Sequence, residues 1–134
     1  MKYKKYFRKT SLKQEGIGEH FLKEIASKKP KNFLEIGVFH GVTARNVCEL
    51  LHSIHGSDFK YVGLDLFGES AENANEVIPN TKFNNPLKKI DMSKIDYVFL
   101  DGGHAYETVK NDLYYSKPVL DNNGIYRVNF NNFR

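Results

Sequence analysis

A single cysteine in 134 residues, Cys48, excludes an internal disulfide, and its place on an apolar, helix-like stretch suits a small buried hydrophobe better than a nucleophile. No apolar run approaches the roughly 20 residues that a membrane helix requires. The N-terminus, "MKYKKYFRKT", lacks the apolar core of a secretory signal, so the expected location is cytoplasmic with no membrane span. Internal repeats and low-complexity linkers are absent too. The length therefore allows one domain with a real core and little room for a second. Missing motifs exclude as much. No Gly-Lys-Ser/Thr follows a strand, which removes a Walker-type phosphate loop. No tight G-x-G-x-x-G is present either, since Phe39 and His40 stand where a dinucleotide loop must be small. The ligand, if there is one, is not held by phosphates. His20, His40, His52 and His55 show no metal-ligand spacing with a matching Cys or acid. His52 and His55 read as helix-surface residues, and His40 as part of a loop that can line a ligand's mouth.

Charge is unevenly spread. Lys2, Lys4, Lys5, Arg8, Lys9 and Lys13 all precede the first acid, Glu15. Of the 20 basic groups, 14 remain after residue 13, against 16 acids, so the net +4 of the chain becomes −2 for residues 14–134. Residues 1–13 are thus a basic arm and 14–134 the folded domain. Tyr3, Tyr6 and Phe7 interleave with the arm's charges, a composition suited to nucleic acid or an anionic surface. A solvated, frayed terminus is the favoured explanation.

Alternating helix and strand signals fill the rest. Ile17, Phe21 and Ile25 recur at helical spacing, predicting a helix over about 14–28 that Pro30 ends. "NFLEIGV" reads as a buried strand. Ala44, Val47, Leu51 and Ile54 mark a second helix that Gly56 can stop. "KYVGLDLF" is a second strand, "SAENANEVI" a short helix candidate, and "DYVFLDGG" a strong strand. A helix through Tyr106, Val109 and Leu113 runs up to Pro118, and "NNGIYRVNF" closes as turn and strand. Helices between strands imply right-handed crossovers and a mostly parallel sheet, with ligands at the carboxyl ends of the strands. The informative clusters, Glu35 to Gly41, Asp65, and Asp101 to His104, all fall at those ends.

"LEIGVFHGVTA" resembles the E-x-G-x-x-x-G-x-T first motif of Rossmann-like S-adenosylmethionine-dependent methyltransferases, and "YVGLDLF" is similar to their second-strand motif. "DGGHAYETVKNDL" resembles the D-G-x-H-x-Y-x-x-V-x-x-D pattern of a small-molecule and sugar O-methyltransferase group. The resemblance spans about Phe33 to Tyr126. It implies an α/β three-layer sandwich and S-adenosylmethionine as cofactor, with Glu35, Gly37, Gly41, Thr43, Asp65 and Phe67 as its binding residues. Glu35 would face the ammonium and Asp65 the ribose hydroxyls; Gly37 and Gly41 would let backbone approach without a Cβ clash. Asp101 and His104 would be catalytic: His104 as general base, Asp101 to orient it, to position the acceptor or to bind a divalent ion. An Asp-Gly turn with a surface histidine is the alternative for that pair.

Two departures stand out. Between Phe67 and Ile95 there is barely room for a third strand and its helix, and the last two strands of the family are missing, so the fold is expected to be truncated. Relatives often end the fifth strand in an acid that meets the fourth-strand Asp at a metal; here the chain offers Asn129, Asn131 and Asn132. Metal-independent transfer to a hydroxyl of a small molecule or sugar is the expected activity. A non-catalytic S-adenosylmethionine or nucleoside-binding module is one alternative. A nucleic-acid methyltransferase using the basic arm is another, disfavoured because "DGGH" is not the Asn/Asp-Pro-Pro-aromatic motif. A homo-oligomer or a covering segment is expected over the final strand, whose edge would otherwise be bare.

Overall fold

The computed structural model describes residues 11–14, 16–65, 94–103 and 105–129. Phe21, Leu22 and Ile25 fall on one helical face, and helix α1 (Ile17–Lys28) buries all three. It stops at Lys29, which turns left-handed (φ 49°) and returns its N–H to the Ile25 carbonyl at 2.8 Å, directly before Pro30. Strand β1 (Asn32–Ile36) ends earlier than its apolar run, because Gly37 swings to φ 95°. Helix α2 (Val42–His55) starts from left-handed Gly41 and ends at Gly56, whose N–H reaches the His52 carbonyl. Strand β2 (Lys60–Leu64) follows, then β3 (Ile95–Leu100), helix α3 (Tyr106–Ser116), a short 3-10 turn (Lys117–Val119) and strand β4 (Leu120–Val128).

The closing strand begins sooner than the sequence suggests. Leu120 already pairs with Ile95, but the register jumps before Tyr97 meets Ile125, so the "DNNG" stretch loops out within the strand. Gly124 leaves room there for the Leu120 side chain, whose Cδ1 would lie 2.5 Å from a Cβ. The expected third strand and the "SAENANEVI" helix lie outside the described residues, as do Phe67, His104, Asn131, Asn132 and residues 1–10.

All strand pairs are parallel, in the order β2-β1-β3-β4. The chain leaves β1 in one direction to build β2 and later returns to β1's other side as β3. In open α/β sheets the place where the order reverses is where ligands bind, outside the carboxyl ends of the strands. Both faces are covered, as parallel sheets require. Phe33, Tyr97 and Phe99 pack with α1 and α2, while Leu34, Ile36, Val98 and Leu100 pack with Leu113 and Tyr115 from α3 and with Val119.

On the α1/α2 face, Tyr61, Phe33 and Tyr97 are opposite one another in register and stack across three strands, with ring centroids 5.9 and 5.0 Å apart. Tyr97 donates its hydroxyl to Glu24 of α1 at 2.7 Å, and Arg127 of β4 pairs with the same carboxylate at 3.1 Å. Those bonds hold α1 against the β3/β4 side of the sheet. Residue 12 also belongs to the packed molecule: Leu12 is buried against Phe21 and its neighbours, although charge alone places it in the arm.

Candidate active site

The sheet's hydrogen bonds run one residue past the strands. Gly37 N–H bonds the Leu64 carbonyl and Asp101 N–H the Ile36 carbonyl, both at 2.8 Å, and Asn129 N–H bonds the Leu100 carbonyl at 3.0 Å. These bonds align the exit residues Asp65, Gly37, Asp101 and Asn129 along one edge, so three of the acids and glycines singled out in the sequence do converge.

Glu35 lies one rung below that edge. It is fully buried, opposite Gly63 on one side and Phe99 on the other. Gly63 leaves the space that the Tyr61 hydroxyl enters: a Cβ there would be 3.2 Å from that oxygen and 2.7 Å from Val38 Cγ2. The Tyr61 hydroxyl donates to Glu35 Oε2, while Oε1 has no hydrogen-bond partner among the described residues. Burial pushes the Glu35 carboxyl up to about 8; the Tyr61 hydrogen bond opposes this, and the nearby Asp101 and Asp65 charges reinforce it. An orphaned oxygen on a buried acid is costly unless a donor arrives from outside. Asn46, one turn into α2, carries a second such oxygen, Oδ1, while its Nδ2 is tied to the Val42 carbonyl at 2.9 Å.

The β1–α2 loop is clamped from β2. The Phe39 N–H donates to Asp65 Oδ2 at 2.5 Å. Phe39 adopts a positive φ of 50°, unusual for a bulky residue, and leaves its ring 68% exposed over His40. Strain and exposure together at a loop beside convergent acids are features of a ligand site. The two glycines of this loop differ. A Cβ on Gly37 would lie 2.5 Å from the backbone of Asp101 and Gly102, so this glycine lets the exits of β1 and β3 touch. Around Gly41 nothing lies within 4 Å of the corresponding position, and no side chain caps the start of α2 there. Thr43, next in the motif, is buried in α2's first turn.

Asp101 accepts from the Ser11 hydroxyl at Oδ2 and from Asn129 Nδ2 at Oδ1, the latter at 2.9 Å. Phe67 and His104 fall outside the described residues. Cys48 is half-buried rather than buried, and burial followed by the Glu35 charge pushes its thiol up, away from a reactive thiolate. His52 is exposed, whereas His55 bonds the Lys29 carbonyl through Nε2 at 3.1 Å. Tyr61, Asn46 and Ser11 were not singled out in the sequence, and Phe39 only as too large for a dinucleotide loop. Only Tyr61 carried a signal, as the aromatic two residues before a strand glycine.

A family model described as a methyltransferase domain matches residues 34–129. The chain belongs to this methyltransferase family. The match begins in β1 and ends at Asn129, and so contains the whole carboxyl edge of the sheet. Among solved structures, the S-adenosylhomocysteine-bound methyltransferase PaMTH1 of Podospora anserina is similar in fold, with a TM-score of 0.55 and 23% identity. That likeness covers 83% of this chain and 50% of the other, so the chain spans about half the length of that methyltransferase. No curated protein matches the chain. No described helix is long and apolar enough to cross a membrane.

Proposed function

We propose that residues 14–134, with Ser11 and Leu12, form an S-adenosylmethionine-dependent methyltransferase domain that methylates a hydroxyl of a small molecule or sugar. The observation that carries this reading is Glu35: a buried acid with one unpartnered oxygen, beneath a row of acids and beside an uncapped helix start. A ligand bearing an ammonium, a carboxylate and a ribose diol matches that set. Glu35 accepts the ammonium, the amides after Gly41 meet the carboxylate, and Asp65, already holding the Phe39 amide, accepts from the ribose. When bound, the cofactor supplies an electrophilic methyl on sulfonium. The protein's task is to hold the acceptor oxygen behind that methyl and remove its proton. His104 takes the proton, and Asp101, at the adjoining exit of β3, positions the acceptor.

Calorimetric titration with S-adenosylhomocysteine tests the cofactor site. Asp65→Ala removes a charge-assisted acceptor and should weaken binding by roughly 1.5–3 kcal/mol, about tenfold or more. Equal affinity in the variant and wild type would refute the placement.

A further inference from the structure

We propose that Ser11 and Asn129 are positioning residues that hold Asp101 with hydrogen-bond donors, at the place where relatives with an acid at the end of the fifth strand often hold a metal. Asp101 and Asn129 leave adjacent parallel strands, and the Asn129 N–H to the Leu100 carbonyl brings its side chain alongside the acid. Asn129 Nδ2 then donates to Oδ1 at 2.9 Å and the Ser11 hydroxyl to Oδ2. Ser11 comes from 90 residues away and is kept in place by Leu12, which is 4% exposed within the core.

An ionised carboxylate only accepts, and each of these neighbours offers it a hydrogen. A divalent ion asks for the opposite, lone pairs from about six oxygens. The described residues contain no group of three or more His, Cys, Asp or Glu able to hold a metal. As arranged, these two donors suit a carboxylate held in one orientation from both ends of the described chain better than one shared with a cation. Locking it before the acceptor arrives removes the cost of ordering it afterwards.

Two measurements test this, and neither depends on cofactor binding. The first is Mn²⁺ titration, followed by electron paramagnetic resonance, of wild type, Asp101→Asn, Asn129→Asp and the double variant. Wild type should bind Mn²⁺ no better than Asp101→Asn. Asn129→Asp, which restores a second carboxylate, should bind at least about tenfold more tightly, and the double variant should lose that gain. Tight wild-type binding that Asp101→Asn abolishes would overturn the proposal, as would an Asn129→Asp protein that gains nothing. If Asn129→Asp does not fold, the comparison of wild type with Asp101→Asn still decides.

The second measurement is the carboxyl ¹³C resonance of Asp101, assigned by its loss in Asp101→Asn. Ser11→Ala should shift it and Ser11→Thr should restore it. An unmoved resonance in Ser11→Ala would remove Ser11 from this role. Failure of wild type to bind S-adenosylhomocysteine would count against the proposed function alone.

Discussion

At the scale of single residues, Glu35 sets the pH behaviour of the site. Its folded-state pKa of about 8 lies above the ordinary 4.5, so the folded protein holds a proton that the unfolded chain has released. The stability linked to Glu35 is fully present below about pH 4.5 and is lost as pH rises through about 8. An ammonium against Oε1 favours the carboxylate, so cofactor binding near pH 7 should expel close to one proton. Calorimetry of S-adenosylhomocysteine binding in buffers of different ionisation enthalpy reads this directly. An enthalpy independent of buffer in wild type, identical to that of Glu35→Gln, would show that Glu35 keeps its proton and does not meet the ammonium. Tyr61 has a defined part here, since its hydrogen bond holds the carboxyl lower than burial alone would. Its own hydroxyl is pushed up by burial and then by Glu35.

At the scale of elements, α3 carries a second buried acid. Asp112 is 7% exposed, and burial alone pushes its carboxyl up to about 7. It faces the exit of β3: Oδ2 is 3.4 Å from the position a Gly102 Cβ would take, and Thr108, one turn earlier on the same face, would clash with a Cβ on Gly103 at 2.6 Å. The glycine pair after Asp101 thus lies flat on α3. Because the folded pKa is the higher one, stability is lost as pH rises from about 4 through about 7, by up to about 1.4 kcal/mol per pH unit. Asp112→Asn should flatten this slope and gain on wild type at pH 8. Urea denaturation of both proteins at pH 5 and pH 8 measures it; parallel losses in the two would contradict the assignment.

Elements were also where the sequence was most legible. The periodicity of Ile17, Phe21 and Ile25, the Gly56 stop, and the runs around Glu35 and Phe99 mark helices and strands that the structure contains. Local patterns reveal local structure because they reflect one face of one element. The burial of Asp112 was not legible, although it closes the D-G-x-H-x-Y-x-x-V-x-x-D pattern. Nothing in a helix's own residues says that a glycine loop will cover an acid. The Tyr61–Glu35 and Ser11–Asp101 bonds were hidden for the same reason, since each joins segments far apart in the chain. The role of Gly37 was legible in kind but not in partner: close approach was expected, and the backbone of Asp101 and Gly102 is what approaches.

At the scale of the whole molecule, the packed unit extends upstream of its first helix. Leu12 sits in no helix or strand, yet it is buried with Phe21, Leu22 and Phe99. Leu12→Ala should therefore cost about 2–5 kcal/mol, as for a core leucine, rather than the near-zero effect expected of a loose arm. Chemical denaturation gives the value, and a loss under about 0.5 kcal/mol would return Leu12 to the arm.

The sheet order has a kinetic consequence. β1, α2 and β2 are contiguous in sequence, as are β3, α3 and β4, so each trio can form from short-range pairings. β1 and β3 are separated by the whole stretch between residues 36 and 95. Closing that gap carries the larger loop entropy and belongs late in folding. Glu35 and Asp65 travel with the first trio, Asp101 and Asn129 with the second. The carboxyl edge of the sheet is thus a seam between two folding units, and Gly37 lies on it, touching Asp101. A chain halted before the seam closes would have most of its secondary structure and none of the alignment of Asp65, Gly37, Asp101 and Asn129.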